Sequence, residues 1–309
     1  MTENIQPIPA ISPLRAWLES LRLRTLPLAC ASVITGSALA GWQGHFSLSV
    51  AALALLTTAL LQILSNLAND YGDAAKGSDT PDRIGPLRGM QKGVITQKQM
   101  CFALGVTVLL TMLSGMALVI RSCQSFSDIL GFLALGALAI VAAIAYTVGK
   151  KPYGYLGLGD VSVLIFFGWL GVLGSYYLQA HSFHLVMLLP ASGCGLLAVA
   201  VLNANNMRDI ESDRQNSKFT LAVRLGAIKA RYYHLLLLAC SLLCFGLFAV
   251  LNSLNVFGWL FLLAAPLLFR QAQYVLRETS AIAMRPLLVK TVKTALLVNL
   301  LFAAGLVIN

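Results

Sequence analysis

Long apolar stretches alternate with shorter polar connections along the whole chain. The apolar stretches run for about 17 to 22 residues, close to the roughly 20 helical residues that cross the hydrocarbon core of a bilayer. Their continuous apolarity favours helices, since membrane β-strands alternate between apolar and polar residues. The pattern predicts an all-α polytopic membrane protein with nine transmembrane helices. The predicted spans are 25–42, 49–68, 101–120, 129–149, 161–180, 185–205, 233–251, 255–271 and 289–307.

The composition also fits a protein that is solvated by lipid. Of its 309 residues, 58% are hydrophobic and 11% are charged, whereas soluble proteins carry about 25% charged residues. Residues 1–24 precede the first span, and Leu14, Trp17, Leu18 and Leu21 recur there at helical spacing. We therefore expect a cytoplasmic N-terminal segment that includes a short helix at the membrane interface.

The placement of the basic residues predicts the orientation of the spans. All but one of the 22 Lys and Arg residues lie in the N-terminal segment or around the connections after the second, fourth, sixth and eighth spans, and Arg121 is the exception. Basic residues are enriched on the cytoplasmic side of a membrane. The pattern predicts a multi-pass protein of the bacterial inner membrane with its N-terminus inside and its C-terminus outside. It also accounts for the net charge of +10 without a nucleic-acid partner.

A cluster of acidic residues begins where the second span ends. If the helix continues past the span, Asn69 and Asp73 are four residues apart and share one face. Gly77 is predicted to end that helix, so Asp79 would reach back from a turn. The candidate metal ligands in this cluster are Asn69, Asp70, Asp73 and Asp79.

A second cluster of the same form follows the sixth span. Asn205, Asp209 and Asp213 are spaced by four residues, which would place three oxygen-bearing side chains along one stripe of a helix. Both clusters open with the pattern Asn-x-x-x-Asp and emerge on the same predicted side of the membrane. This correspondence indicates a weak two-fold repeat in which each half of the chain contributes one cluster.

The chemistry of the two clusters indicates a magnesium site. Carboxylate and amide oxygens without His or Cys suit a hard cation, and Mg²⁺ commonly joins a few carboxylates to the phosphates of a substrate. The alternative is that these residues are solvated charges at the membrane surface. Two clusters of one form on the same face, in a chain with only 12 Asp and Glu residues, favour the metal site.

Basic and amide side chains lie among and after the acidic residues. Carboxylates that hold a metal, next to cations that hold anionic oxygens, are the groups that bind a diphosphate. The alternative is ion pairing and membrane orientation alone, which accounts for Lys92, Lys98 and Lys229. The candidate substrate-binding residues of the two clusters are Asn66, Lys76, Arg83, Arg88, Asn206, Arg208 and Lys218.

A glycine-rich segment, residues 146–160, connects the fourth and fifth spans on the same side. Its glycines allow the backbone to approach a ligand closely. For Tyr153 and Tyr155, an aromatic belt at the membrane interface is an equal alternative to a substrate site. The candidate catalytic residues here are Tyr146 and Lys150, and the candidate substrate-binding residues are Lys151 and Tyr153.

Together these segments resemble the UbiA superfamily of intramembrane prenyltransferases. The resemblance covers essentially the whole chain, 1–309, as one domain. Within the superfamily, the runs 65–79, 153–160 and 205–214 are most similar to the branch that prenylates 1,4-dihydroxy-2-naphthoate. The resemblance implies nine helices around a central cavity with the acidic motifs at its cytoplasmic mouth. One departure is Gly77, which stands where many relatives place an acidic residue, so Asp79 is assigned that role.

The resemblance also implies a reaction. Asn69, Asp73, Asp209 and Asp213 would hold Mg²⁺ against a polyprenyl diphosphate, with Asp73 and Asp209 as catalytic residues. The polyprenyl group would pass to 1,4-dihydroxy-2-naphthoate with loss of CO₂, giving demethylmenaquinone in menaquinone biosynthesis, and membrane lipid would surround the enzyme. An alternative is 4-hydroxybenzoate as the acceptor, in ubiquinone biosynthesis. From another class, a cation-coupled transporter is an alternative, although transporter carboxylates more often lie near mid-membrane.

Overall fold

The computed structural model describes residues 12–77 and 88–309, and these residues form eleven helices connected by turns. The helices of the first half are α1 (Pro13–Leu21), α2 (Leu26–Trp42), α3 (Leu48–Ala75), α4 (Gln97–Ser122) and α5 (Phe126–Ala145). Those of the second half are α6 (Gly159–Ala180), α7 (Leu185–Arg208), α8 (Ile210–Gln215), α9 (Leu221–Leu251), α10 (Val256–Arg277) and α11 (Arg285–Ile308). The prediction of an all-α fold is confirmed.

Eight of the helices in the described residues are long and apolar enough to cross a membrane, namely α3 to α7 and α9 to α11. The remaining candidate is α2, which has 17 residues. It qualifies as a span together with α1, from which it is bent by 41°. Each of the nine predicted spans overlaps one of these helices, so the chain is a multi-pass membrane protein.

The helices extend further on the acidic side than the apolar pattern predicts. Helix α3 continues to Ala75, and α9 starts at Leu221, well before the predicted start at 233, with a break in its helical geometry at Gly226, where φ is +76°. Much of the connection between the sixth and seventh predicted spans is therefore helical. Residues after Thr220 favour helix, and the Thr220 side chain caps the new helix by accepting from the Val223 N–H. The acidic clusters consequently lie on helix ends.

Helix α7 lies at the centre of the second half and packs against α6, α9 and α11. Helix α2 packs against α11 on one side and α3 on the other, so it joins the two halves. Gly36 of α2 makes the approach to α6 possible, because a Cβ there would overlap the Ser175 hydroxyl and the Val172 carbonyl oxygen. Small residues allow such close contacts between helices in a membrane.

The predicted N-terminal helix is α1, and it lies against the acidic end of the bundle. Trp17 and Leu21 pack on a buried cluster that contains Leu67 of α3, whereas Leu14 is 71% exposed. The Lys92 ammonium pairs with the Glu19 carboxylate of α1 at 2.6 Å. Helix α1 is thus fixed to the protein on one face and exposes leucine on another.

Candidate active site

A cavity of about 1180 Å³ lies between the two halves of the bundle. Residues of α1 to α7 and α11 line it. Its wall is largely apolar along α4 and α5, where glycine, alanine, leucine and phenylalanine face it. At one end the lining becomes polar and includes Asn69, Asp73, Asn205 and Arg208. The cavity therefore combines an apolar chamber with a charged mouth.

The first acidic cluster stands on the last turns of α3. Helix α3 runs unbroken through residues 69–73, so Asn69 and Asp73 share one face, as predicted, and both line the cavity. The Tyr155 hydroxyl donates to Asp73 Oδ1 at 2.7 Å, and Arg88 Nη1 donates to Asp73 Oδ2 at 2.6 Å. The Thr147 hydroxyl lies 3.0 Å from Asn69 Oδ1. Residues distant in sequence thus orient both side chains.

The lack of a side chain at Gly72 allows the end of α3 to lie close to Thr147. A Cβ at Gly72 would lie 2.7 Å from the Thr147 carbonyl oxygen. The helix end is therefore pressed against the connection between α5 and α6. The helix ends as predicted before Gly77, whose φ is +66°.

Asp70 was predicted as a metal ligand, but its side chain does not line the cavity. It is 0% exposed, and its Oδ1 accepts from Arg22 Nη2 at 2.6 Å and lies 3.2 Å from Arg88 Nε. Asp70 therefore holds two arginines that do line the cavity. This placement supports a positioning role and does not support direct contact with a metal there.

The second acidic cluster differs from its predicted form. Helix α7 ends at Arg208 and α8 begins at Ile210, so the three residues do not lie on one continuous helix. Their spacing survives because Asp209 N–H donates to the Asn205 carbonyl and Asp213 N–H to the Asp209 carbonyl. Arg208 Nη2 lies 2.6 Å from Asp209 Oδ2 and 2.9 Å from Asn205 Oδ1.

A short chain of contacts joins the two clusters. The Tyr155 hydroxyl donates to Asp73, and the Lys218 ammonium lies 5.6 Å from the centroid of the Tyr155 ring. Lys218 Nζ in turn pairs with Asp213 Oδ1 at 3.3 Å. The Phe219 N–H donates to the Tyr155 carbonyl at 3.0 Å, which fixes the segment after α8 to the glycine-rich segment. Asp73 lines the cavity itself, whereas Asp209 and Asp213 do not line it and pair with Arg208 and Lys218, which do.

The donor atoms at this mouth fit Mg²⁺. Burial, reinforced by the Asp209 and Asp73 carboxylates and opposed by Lys218, raises the pKa of Asp213 to about 6. Asp213 Oδ2 is buried without a hydrogen-bond partner. Within residues 12–77 and 88–309, no three His, Cys, Asp or Glu side chains are grouped to hold a metal by themselves. Amide and diphosphate oxygens would complete the coordination, as Mg²⁺ commonly allows.

In the glycine-rich segment, some of the predicted site residues line the cavity and others lie outside it. Tyr146 and Tyr153 line the cavity with their rings nearly perpendicular and 5.2 Å apart. Burial, followed by the Asp160 carboxylate, raises the pKa of Tyr146, so its hydroxyl stays protonated. Lys150 and Lys151 follow a turn at Gly149, where φ is +114°, and are exposed outside the cavity. This position does not support the predicted catalytic role of Lys150 or substrate binding by Lys151.

Of the remaining predicted site residues, some line the cavity and others do not. Asn206 and Asn66 line the cavity, but the Asn66 amide group already donates to the Leu21 carbonyl and accepts from Gln62. The Lys76 ammonium lies 4.7 Å from the centroid of the Tyr155 ring, and Lys76 does not line the cavity. Asp79 and Arg83 lie outside the described residues.

Sequence reasoning missed three residues that organise the site. Arg22 was read as an orientation signal, yet it pairs with Asp70 and lines the cavity. Tyr155 was weighed equally as a belt residue and as a substrate-site residue and was not among the candidate site residues, although its place in a glycine-rich segment on the acidic side was an available signal. Nothing in the sequence pointed to Thr147.

Comparisons with known proteins agree with this architecture. The UbiA prenyltransferase family matches residues 29–306. The chain is 64% identical to the 1,4-dihydroxy-2-naphthoate octaprenyltransferase of Escherichia coli (strain K12), over 97% of each chain. Among solved structures it resembles the apo UbiA homolog of Aeropyrum pernix K1, with a TM-score of 0.63 and 15% identity over 97% of this chain and 99% of that chain.

A second solved structure adds a ligand-bound relative of the same fold. It is a UbiA homolog from Archaeoglobus fulgidus bound to DMAPP and Mg²⁺, with a TM-score of 0.56 and 14% identity over 91% of this chain and 98% of that chain. At that identity the likeness establishes the fold only. The family match over most of the chain, and a relative of high identity along its full length, establish more: the chain belongs to the UbiA prenyltransferase family.

Proposed function

We propose that the protein transfers a polyprenyl group from polyprenyl diphosphate to 1,4-dihydroxy-2-naphthoate, with loss of CO₂, to give the reduced (quinol) form of demethylmenaquinone. The observation that carries the proposal is the cavity itself. Asp73 of the first half and Asn205 of the second, with Arg88, Arg208 and Lys218, line its mouth, and its wall along α4 and α5 is apolar. A diphosphate with a long hydrocarbon tail needs both kinds of surface. Helices α1 and α11 line the same cavity, which supports one domain over 1–309.

The charged mouth would hold the diphosphate. Asn69, Asp73, Asn205, Asp209 and Asp213 are the proposed Mg²⁺ ligands, and the solved relative that carries DMAPP and Mg²⁺ supports this metal. When bound, Mg²⁺ neutralises the charge that develops on the diphosphate as the allylic C–O bond breaks. Arg88, Arg208 and Lys218 would donate charge-assisted hydrogen bonds to the diphosphate oxygens.

The apolar chamber would take the prenyl tail and exclude water. Excluding water matters because water would otherwise trap the allylic cation before the acceptor does. Phe132, Leu135 and Ala139 of α5 line this part, and they carry no group that could react with a cation. Tyr146 and Tyr153 also line the cavity, and their rings would pack against an aromatic acceptor.

The acceptor follows from the high-identity relative, which is named for 1,4-dihydroxy-2-naphthoate and an octaprenyl group. The ring carbon that bears the carboxylate attacks the allylic carbon of the prenyl group. The carboxylate then departs as CO₂. The electron pair of the broken C–C bond restores the aromatic ring, so no covalent intermediate with the protein is needed. The distribution of Lys and Arg supports a bacterial cytoplasmic membrane, with the N-terminus and the mouth in the cytoplasm.

A transfer assay tests the proposal. Membranes containing the protein are incubated with radiolabelled polyprenyl diphosphate and either 1,4-dihydroxy-2-naphthoate or 4-hydroxybenzoate, with and without Mg²⁺. We expect lipid-soluble label only with the naphthoate and Mg²⁺. Asp73→Ala and Asp209→Ala should abolish it, because each removes a proposed ligand of the metal.

Other outcomes of the assay would reject parts of the proposal. Transfer to 4-hydroxybenzoate instead would replace the acceptor while leaving the prenyl-transfer chemistry. Label transfer that persists in EDTA, or in either aspartate variant, would contradict the metal assignment. Lys290→Gln is a suitable control for expression and folding, because Lys290 is exposed and does not line the cavity.

A further inference from the structure

Six basic side chains of the described residues line the cavity, and five of them have carboxylate partners. Arg88 pairs with Asp73, and Arg208 with Asp209. Lys218 pairs with Asp213 at 3.3 Å. Arg22 pairs with Asp70 and Arg15 with Glu19.

Arg285 is the sixth, and it stands apart. Its guanidinium forms no ion pair or side-chain hydrogen bond anywhere in residues 12–77 and 88–309. Its side chain is exposed, so solvent or a ligand reaches it. An arginine that lines a cavity without an anionic partner is a ready site for an anion, because its donors suit two oxygens of one carboxylate.

Arg285 lies at the rim of the cavity, beside the end of α7 and next to an apolar surface. It is the first residue of α11, and Leu288, Val289 and Val292 of the same helix also line the cavity at helical spacing. Next to it, Met284 is buried in a cluster with Met207 at the end of α7. One turn further, Leu288 packs against the core that includes Leu28 of α2. Arg285 therefore lies on the rim between α2 and α7, with an apolar surface beside it.

We propose that Arg285 binds the carboxylate of the aromatic acceptor and that the adjacent Leu288 and Val289 side chains receive its ring. The proposal rests on the proposed function, which brings two anions to one mouth. The diphosphate has the metal ligands and their cations. The acceptor carboxylate needs a separate cation beside an apolar surface, and among the basic side chains that the structure describes in the cavity lining, Arg285 is the one without a carboxylate partner.

This role concerns binding and orientation. The guanidinium forms hydrogen bonds to the carboxylate and breaks no covalent bond, and the carboxylate departs as CO₂ in the transfer step. Arg285 should therefore affect KM for the acceptor far more than kcat. Arg285→Lys should act partway, because lysine keeps the charge but loses the paired donors.

The test compares Arg285→Gln, Arg285→Lys and the control Lys290→Gln. Lys290 lies on the same helix, with its ammonium 4.4 Å from the Tyr274 ring centroid, and it does not line the cavity. For Arg285→Gln we expect KM for 1,4-dihydroxy-2-naphthoate to rise about 10- to 100-fold, the range of a lost charge-assisted hydrogen bond. KM for the polyprenyl diphosphate should stay unchanged in all three variants.

Inhibition by analogues provides a second readout. The wild type should be inhibited more strongly by 1-hydroxy-2-naphthoate than by 1-naphthol, and Arg285→Gln should abolish that preference without weakening 1-naphthol. An unchanged acceptor KM, a rise in diphosphate KM, or equal weakening of both analogues would overturn the proposal. Failure of the proposed function would look different, since the wild type itself would then not prenylate the naphthoate.

Discussion

Asp73 receives its two partners from segments that are distant in sequence. Tyr155 and Arg88 bind different oxygens of the carboxylate, which fixes its plane toward the cavity. Groups that orient a metal ligand commonly affect metal affinity almost as strongly as the ligand itself. Tyr155 is therefore a positioning residue in this site.

Removing the Tyr155 hydroxyl tests that role. We expect Tyr155→Phe to lower kcat/KM by about 10- to 100-fold and to raise the Mg²⁺ concentration for half-maximal activity, because Asp73 Oδ1 loses its donor. Titrating activity with Mg²⁺ measures both effects. Tyr71→Phe is the matched control, since the Tyr71 hydroxyl accepts from Gln97 at 3.2 Å on the exposed side of α3. Equal Mg²⁺ dependence in both variants would contradict the role of Tyr155.

At the scale of single residues, the sequence predicted candidate metal ligands better than it predicted the residues that hydrogen-bond to them. Asn69 and Asp73 were found because four-residue spacing on a helix places side chains on one face. Thr147 and Tyr155 meet them through tertiary packing, which has no local pattern. Lys150 was misplaced because the turn at Gly149 carries it out of the cavity.

Helix ends, more than loops, present the acidic residues. Helix α3 continues beyond its apolar segment to Ala75, and α7 continues to Arg208. The apolar pattern gave the positions of the spans because lipid requires about 20 apolar residues. It did not give the polar extensions, because tertiary contacts such as that between Gly72 and Thr147 stabilise them.

Packing between α2 and α6 gives an element-scale prediction. We expect Gly36→Ala to destabilise the protein by about 1–3 kcal/mol, because the added methyl group overlaps Ser175 and Val172 of α6. Thermal unfolding in detergent should show a lower midpoint. Gly105→Ala on α4 is the control, since nothing lies within 4 Å of its Cβ position. A midpoint for Gly36→Ala as high as that of the control would refute the close packing described here.

At the scale of the whole molecule, the requirements of the bilayer allow the fold class to be predicted from the sequence. Long apolar stretches must be helices, and the basic residues indicate their orientation. The weak two-fold repeat also placed one acidic cluster in each half. What the sequence left open was how the halves approach each other. That arrangement depends on helix contacts across α2 and on the contact between Tyr155 and Phe219.

In the proposed reaction, acidic side chains from both halves act together on one diphosphate. Asp73 of α3 lines the cavity. Asp213 of α8 pairs with Lys218, which also lines the cavity. If they share a metal–diphosphate complex, the loss of either should remove most of the binding, and the loss of both should cost little more. Independent sites would give losses that multiply.

Calorimetric binding of a non-reactive prenyl thiolodiphosphate, with Mg²⁺ present, measures this directly on purified protein. For Asp73→Asn and Asp213→Asn we expect affinity to fall by at least about 100-fold each, with the double variant only a few-fold weaker again. Asp128→Asn, at the opposite end where Asp128 accepts from Tyr177, should bind like the wild type. Full affinity in either single variant, or losses that multiply in the double variant, would contradict a site shared by the two halves.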